Sequence, residues 1–115
     1  MIEFYDFGVM VINGKRYTSD LIIYQWKVFD GWWRRESHRL YMEDLNRIFS
    51  FEPKPQVLVV GTGFSGLLKV SREVEETLRS HKIELVAQPT KEAIQTFNKF
   101  LASGKRVAGA FHLTC

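Results

Sequence analysis

The sequence predicts an α/β fold of three layers, in which a mixed central sheet carries helices and N-terminal hairpins add a further β layer. The second half of the chain alternates strand and helix patterns in the order β-α-β-α-β. The first half combines short strand patterns with an Asn-Gly turn and holds twelve of the sixteen aromatic residues. No Ser- or Gly-rich linker separates residues 1–56 from residues 57–115, so we expect one domain over residues 1–115.

Residues 1–56 are predicted to form an aromatic-rich β layer and one short helix. Two short strand patterns flank Asn13-Gly14, a dipeptide that accepts the positive φ angles of a type I′ turn, which predicts a hairpin. Further strands are expected over Leu21–Tyr24 and residues 26–29. A helix over residues 42–51 follows from the spacing of Leu45, Ile48 and Phe49.

Residues 57–115 are predicted to form the β-α-β-α-β half. A β-branched run at residues 57–60 fits a strand that is covered on both faces. The next helix is expected over residues 71–81, with Ser71 as its N-cap. A strand at residues 83–87 leads to a second helix that opens at Thr90 as N-cap, ends at Gly104 and precedes a strand at residues 107–113. The apolar stripe of that helix comprises Ala93, Ile94, Phe97, Phe100 and Leu101.

Charge and cysteine content restrict the classes of function. The net charge is +3, from 16 Lys and Arg against 13 Asp and Glu, and no basic run exceeds two residues. Nucleic-acid binding is therefore weakly supported, because phosphate-binding proteins gather many cations on one face. A single cysteine excludes an internal disulfide, and no apolar run is long enough to span a membrane. The first eight residues contain Glu3 and Asp6 but no cation, so we expect no targeting segment and a cytoplasmic protein.

Residues 61–66, the glycine loop, read Gly-Thr-Gly-Phe-Ser-Gly, a literal G-x-G-x-x-G after a strand. Four residues separate this loop from the next helix, and that helix has an acidic first turn, which disfavours a pyrophosphate. No carboxylate ends the following strand, so we do not predict a dinucleotide site. A tight structural turn and a small-anion site formed by backbone amides both remain open.

The candidate anion pocket includes polar groups outside the loop as well. Asn98 borders the apolar stripe of its helix, where it either bonds to nearby backbone, the reading we favour, or points into a pocket. Lys69 follows the loop, and Arg106 follows Gly104. The full candidate set is Gly61, Thr62, Gly63, Gly66, Lys69, Asn98 and Arg106. No catalytic residue, metal ligand or cofactor is predicted.

Two further patterns have a structural and a functional interpretation. Trp32-Trp33-Arg34-Arg35 interleaves aromatics with cations as single-stranded nucleic-acid binders do. We favour the simpler interpretation, in which the tryptophans stack inside the β layer and the arginines are solvated or closed onto a carboxylate. Exposed tryptophans would instead suit a protein contact. His112 and Cys115 lie three residues apart and so face opposite sides of a strand, which disfavours a dyad or metal pair.

The second half resembles a small domain family of unassigned biochemical activity. The residues that carry the resemblance are residues 58–63, Thr90, Ala93, Phe97, Asn98, Gly104, Arg106, Val107 and residues 111–115. Members include archaeal and bacterial hypothetical proteins, the vertebrate adipogenesis-associated domain protein and mitochondrial complex I assembly factor 3. The resemblance implies a three-layer α/β fold and brings no catalytic residues.

Three hypotheses of function follow from these observations. We favour a non-catalytic protein-interaction or assembly-type module, which binds a protein partner or a second copy of the chain. The alternatives are a small-molecule or anion-binding protein that uses the glycine loop, and with it an unrecognised enzyme, and a weak nucleic-acid binder that uses residues 32–35.

Overall fold

The computed structural model describes residues 1–115. Its strands are β1 (Ile2–Asp6), β2 (Val9–Ile12), β3 (Lys15–Tyr17), β4 (Leu21–Tyr24), β5 (Lys27–Asp30), β6 (Arg39–Leu40), β7 (Val57–Thr62), β8 (Lys69–Val70), β9 (Glu84–Gln88) and β10 (Val107–His112). Its helices are α1 (Asn46–Ser50), α2 (Arg72–Ser80) and α3 (Thr90–Ala102), and a 3₁₀ turn, Met42–Leu45, precedes α1. None of these helices has the length and apolar composition needed to cross a membrane.

The central sheet has five strands in the order β5-β4-β10-β7-β9. Strands β10, β7 and β9 run parallel, whereas β4 pairs antiparallel with β10 and β5 pairs antiparallel with β4. The carboxyl ends of the three parallel strands therefore lie at the same edge of the sheet as the start of β4 and the end of β5. The prediction of a mixed central sheet in an α/β fold is therefore confirmed.

A second sheet, β1-β2-β3, forms the additional β layer and is entirely antiparallel. The predicted hairpin is confirmed, since Ile12 pairs with Lys15 across a turn whose residues Asn13 and Gly14 have φ angles of 50° and 80°. Both angles are positive, as a type I′ turn requires. A small parallel pair, β6-β8, completes the strands.

Two apolar cores cover the two faces of the central sheet. In β7, Val57 and Val59 face the first core, and Leu58 and Val60 face the second, because successive side chains of a strand alternate. The first core packs the sheet against α3 and the small antiparallel sheet, and the second packs it against α1 and α2. The strand at residues 57–60 is thus covered on both faces, as predicted.

The structure corrects three predicted elements. The strands at Leu21–Tyr24 and residues 26–29, the latter shifted to Lys27–Asp30, join the central sheet instead of the extra layer. The first of these strands is buried on both faces, which only an interior position provides. The helix predicted over residues 42–51 divides at Leu45, whose ψ of 14° is not helical, into the 3₁₀ turn and α1.

Strands β1, β6 and β8 were not predicted, and the N-cap assignments gave mixed results. Ser71 caps α2 as expected, since its Oγ accepts the Val74 N–H at 3.4 Å. In α3 the N-cap is Pro89, and Thr90 is the first helical residue. The Thr90 hydroxyl bonds to the ends of β7 and β10 instead of to its own helix.

Candidate functional site

Several buried polar side chains of the protein lie at the carboxyl end of the central sheet. Thr62, the last residue of β7, is paired with His112, the last residue of β10. Phe111 is paired with Leu21, so Asp20 stands beside the end of β10. In open α/β sheets the crevice outside the carboxyl ends of the strands is the usual place for a binding site. This end of the sheet is therefore our candidate site.

Asp20, Arg34 and His112 form what we call the buried network. Nη1 of Arg34 donates to Oδ2 of Asp20 at 2.6 Å, and Nδ1 of His112 lies 2.8 Å from the same oxygen and 3.0 Å from Nη2 of Arg34. The second oxygen, Oδ1, accepts the Leu113 N–H at 2.7 Å. The side chains of Arg34 and His112 are each only 6% exposed. The network ties the start of β4, the end of β10 and the loop after β5 together.

The electrostatics of the network favour an ionised Asp20. Burial acts to raise the pKa of Asp20, but the hydrogen bonds from His112, the Leu113 N–H and Arg34 outweigh it, so the pKa lies below its usual value of 3.8. A carboxylate only accepts hydrogen bonds and a guanidinium only donates them, so Nδ1 of His112 donates to Asp20 when it carries a proton and accepts from Nη2 of Arg34 when it does not. With the proton on Nδ1 of a neutral ring, the lone pair lies on Nε2.

Two buried nitrogen atoms of the network have no hydrogen-bond partner. They are Nε2 of His112 and Nε of Arg34. Nε2 is bonded to no hydroxyl or thiol group that it could activate. The arrangement fits the structural reading of His112 as a residue at a strand end, while Cys115 is exposed.

The network was missed by the sequence analysis, except for one of its contacts. We expected the arginines at residues 34 and 35 to be solvated or closed onto a carboxylate, and Arg34 closes onto Asp20. Asp20 itself carried no signal, because it lies 92 residues from His112 in the sequence. Only the pairing of β4 with β10 brings the two residues together.

The glycine loop lies beside this network and is held by Thr90. The Gly63 N–H donates to Oγ1 of Thr90 at 2.9 Å, and that hydroxyl donates to the carbonyl of His112 at 2.7 Å. Gly63 has a φ of 105°, and a Cβ at this position would come within 2.8 Å of Cδ2 of His112. The loop is therefore a tight structural turn, in which glycine allows the backbone to approach the ring.

Backbone amides of the loop are largely engaged within the chain. In addition to the Gly63 N–H, the Phe64 N–H donates to the Thr114 carbonyl at 2.8 Å, and the Gly66 N–H donates to the Gly63 carbonyl at 3.2 Å. These three N–H groups do not point outward as a cradle for an anion would need. Thr62 is buried at the end of β7, and Gly61 is packed against Phe111 and Thr90.

The remaining candidates do not converge on the loop. Lys69 lies on β8 with an exposed side chain that forms no ion pair. Asn98 bonds to the backbone of Ile2, with Nδ2 donating to its carbonyl at 2.9 Å and Oδ1 accepting its N–H at 3.1 Å. Arg106 precedes the six-residue strand β10, so it lies at the opposite end of the sheet, roughly 20 Å from the loop. The seven residues do not form one pocket, and anion binding at the loop stays a prediction.

The aromatic–basic stretch is divided between buried and exposed groups. Trp32 is half-buried, and its Nε1–H donates to the Asp44 carbonyl at 2.8 Å. Arg34 belongs to the buried network, and Nη1 of Arg35 donates to Oε2 of Glu43 at 3.1 Å. Trp33, by contrast, is 88% exposed, so the expectation that it stacks inside the β layer is wrong. Both cations of this stretch are thus paired with carboxylates, and only one ring is free.

A second exposed aromatic group lies at the same end of the sheet. The rings of Phe7 and Phe64, which we call the phenylalanine pair, meet edge to face with centroids 5.7 Å apart. They are 53% and 52% exposed. Tyr5 packs behind Phe64, and its hydroxyl donates to the Leu113 carbonyl, while burial raises the pKa of Tyr5 to about 12. The pair is thus an exposed apolar surface that packs on a hydrogen-bonded residue, Tyr5.

Comparison with known proteins identifies the family. The family model described as "Protein of unknown function (DUF498/DUF598)" matches residues 2–112. The chain belongs to this family. The resemblance seen in the second half is confirmed, and the match extends across the N-terminal half as well.

Relatives of this family member come from vertebrates, archaea and bacteria. NADH dehydrogenase (ubiquinone) 1 alpha subcomplex assembly factor 3 of Danio rerio is 39% identical over 79 residues, which are 68% of this chain and 44% of that protein. The chain thus spans less than half the length of that relative.

Two solved structures share the fold over nearly the whole chain. The conserved hypothetical protein PH1505 from Pyrococcus horikoshii OT3 is 28% identical, with a TM-score of 0.84 over 100% of this chain and 99% of that chain. The Rpa2829 protein from Rhodopseudomonas palustris is 27% identical, with a TM-score of 0.79 over 96% and 81% of the two chains. The three-layer α/β fold is therefore common to this chain and both structures.

Proposed function

We propose that this chain is a non-catalytic module that binds a protein partner in an assembly-type role. The observation that carries the proposal is the phenylalanine pair, in which two large apolar rings are half-exposed and in contact with each other. Aromatic side chains supply much of the binding energy of protein interfaces, because each removes a large apolar area from water. A pair held in place by Tyr5 and the glycine loop offers such area without first having to be ordered.

The relative from Danio rerio supports the same proposal, because its name describes an assembly factor. Its identity of 39% covers 68% of this chain, so the name supports a type of role and not a particular partner. The buried network is consistent with a non-catalytic role as well, since the free Nε2 of His112 has no nucleophile bonded to it.

The alternatives have less support at the contacts they require. An anion at the glycine loop would have to compete for amides that already donate to Thr90, Thr114 and Gly63. Nucleic acid at residues 32–35 would have to compete with Asp20 and Glu43 for the two arginines. The cytoplasmic location and the single domain over residues 1–115 stay predictions.

Quantitative affinity capture from a native lysate tests the proposal. The wild-type chain is compared with Phe7→Ser/Phe64→Ser, and the control is Trp26→Ser, which removes a 60% exposed ring at the opposite end of the sheet. Proteins that bind through the pair should be depleted at least about tenfold by the double variant and retained by the control. The proposal fails if both variants capture the same proteins as the wild type, or if the wild type captures none.

A further inference from the structure

A cleft of about 170 Å³ opens between the end of β5 and the start of α1. Three aromatic residues, Phe29, Trp32 and Trp33, line it together with the acidic residues Asp30, Glu43 and Asp44, and the other lining residues are Ile22, Gly31, Asn46 and Arg47. Sites for drug-sized ligands usually measure ~300–1,000 Å³, so this cleft suits the head group of a single side chain.

One wall of the cleft is fixed by hydrogen bonds. The Trp32 indole N–H donates to the Asp44 carbonyl at 2.8 Å. The Asp44 carboxylate in turn accepts the Arg35 N–H at 3.0 Å and the Tyr41 N–H at 2.8 Å. Each carboxylate oxygen of Asp44 therefore accepts a hydrogen bond from the backbone around the cleft, so neither is free to bind a ligand.

Of the three acidic residues in the cleft, one carboxylate has neither a hydrogen bond nor an ion pair. Glu43 accepts from Nη1 of Arg35 at 3.1 Å, and the Arg47 guanidinium lies 4.5 Å from the centre of the Phe29 ring. Asp30 is exposed and forms neither an ion pair nor a side-chain hydrogen bond. Counting Asp30, Glu43 and Asp44 against Arg35 and Arg47, the cleft retains a net negative charge.

The aromatic rings of the cleft likewise differ in whether a cation lies over them. The Arg34 guanidinium lies over the Trp32 ring at 5.0 Å from its centre, and the Arg47 guanidinium lies over the Phe29 ring. Trp33 is 88% exposed and has neither a cation nor an aromatic ring against it. Among the residues that line this cleft, Trp33 is thus the ring without a cation, and Asp30 is the carboxylate without a hydrogen bond or an ion pair.

We infer that Trp33 and Asp30 form a receptor for a lysine or arginine side chain of a partner protein. The ring would attract the cation through its π face, and the carboxylate would supply the opposite charge. This inference rests on the proposed function, because it specifies the chemistry of the partner at the same end of the sheet. It also disfavours the nucleic-acid hypothesis for residues 32–35, since a phosphate at Trp33 would enter a cleft that Asp30 and Glu43 line as well.

The test is an NMR titration of the ¹⁵N-labelled full chain with three small probes. Two are cationic, N-acetyl-arginine methylamide and N-acetyl-lysine methylamide, and the third is the neutral N-acetyl-citrulline methylamide, which matches arginine in shape. The indole N–H signals of Trp26, Trp32 and Trp33 are assigned with Trp→Phe variants. We expect millimolar, saturable binding of the cationic probes that shifts the Trp33 signal, with citrulline at least about threefold weaker.

Variants then assign the binding to the two residues. Asp30→Asn should weaken binding of the arginine probe about threefold, and Trp33→Ala should abolish the saturable shifts at the other cleft signals. The control Glu84→Gln removes an exposed carboxylate from β9 and should leave binding unchanged. The spectrum of each variant reports directly whether it is folded.

The inference is overturned if citrulline binds as well as arginine, if no probe gives a saturable shift of Trp33, or if Asp30→Asn binds like the wild type. These results leave the capture experiment with the phenylalanine pair unaffected. Capture that depends on Phe7 and Phe64 without cation binding would therefore refute the inference and retain the proposed function. Loss of both would refute the two together.

Discussion

Oδ2 of Asp20 lies 2.8 Å from Nδ1 of His112, so a residue that precedes β4 holds the last residue of β10 in place. The same oxygen accepts from Arg34, which follows Trp33 in the loop after β5. Three segments at the carboxyl end of the sheet thus depend on one carboxylate. The exposed ring of Trp33 is attached directly to this buried anchor.

Replacing Asp20 with Asn should strongly destabilise the chain. The substitution leaves the buried Arg34 guanidinium without its counter-charge, and breaking a buried ion pair in this way costs about 3–5 kcal/mol. The free energy of unfolding, measured with guanidinium chloride, checks this value. Asp30→Asn is the matched control, because Asp30 is exposed and unpaired, and it should change stability by less than about 0.5 kcal/mol. If Asp20→Asn changes the free energy of unfolding as little as Asp30→Asn does, the network contributes nothing to stability.

The same carboxylate should give stability a defined dependence on pH. Because the folded-state pKa of Asp20 is below its usual value of 3.8, its stabilising contribution is fully present above 3.8 and is lost as the pH falls through the folded pKa. The free energy of unfolding of the wild type should therefore approach that of Asp20→Asn below about pH 3.8 and differ by a constant amount above about pH 5. Urea denaturation of both chains between about pH 6 and pH 2 measures this difference. A difference that stays constant over the whole range would contradict the lowered pKa.

Substitution of Asn98 distinguishes a structural role of this residue from a role in ligand binding. Its two hydrogen bonds to Ile2 fasten β1 to α3, and their loss in Asn98→Ala should cost about 1–3 kcal/mol and speed amide exchange at Ile2. Arg106→Ala, at an exposed site, should stay within about 0.5 kcal/mol of the wild type. Chemical denaturation and hydrogen exchange provide the two measurements. An Asn98→Ala chain of unchanged stability would refute the structural role.

Gly63 should tolerate no side chain, whereas Gly104 should tolerate a small one. A Cβ at Gly63 would lie 2.8 Å from Cδ2 of His112 and 2.9 Å from the backbone oxygen of Cys115, in a backbone with φ of 105°. Gly63→Ala should therefore cost at least about 2 kcal/mol, from both overlap and backbone strain. At Gly104 nothing lies within 4 Å, so Gly104→Ala should cost only the left-handed strain, about 1 kcal/mol. Thermal unfolding of both variants compares them, and a Gly63→Ala chain as stable as Gly104→Ala would contradict the close packing at His112.

Local chemistry explains what could be predicted from the sequence. The Asn13-Gly14 turn, the Ser71 cap and the strand at residues 57–60 each follow from residues that are neighbours in the chain. The Asp20–His112 contact could not be predicted in this way, because it depends on how β4 pairs with a strand more than eighty residues later.

The candidate site illustrates the same limit for function. Asn98 and Arg106 were grouped with the glycine loop because of their places in the sequence, but α3 and β10 carry them to other contacts. Trp33 was considered as part of the aromatic–basic stretch, whereas Asp30 was given no functional role. The cleft that they share with Glu43 is formed only when the 3₁₀ turn folds against the end of β5.

The two halves of the chain should unfold together, which tests the single domain over residues 1–115. The first core joins Leu21 and Ile23 of the first half with Val57 and Val59 of the second, and β10 lies between β4 and β7. Removing residues 1–56 would therefore expose both cores, because the second core contains Ile22, Leu40 and Ile48 of the first half. It would also leave β10 without a partner on one side, so no half is expected to be stable alone. Tryptophan fluorescence, which reports only on the first half, and far-UV circular dichroism should give coincident denaturation curves. The amides of Ile23 and Val59 should exchange with the same free energy, and a fluorescence transition that precedes the loss of the second half would show that the halves are independent.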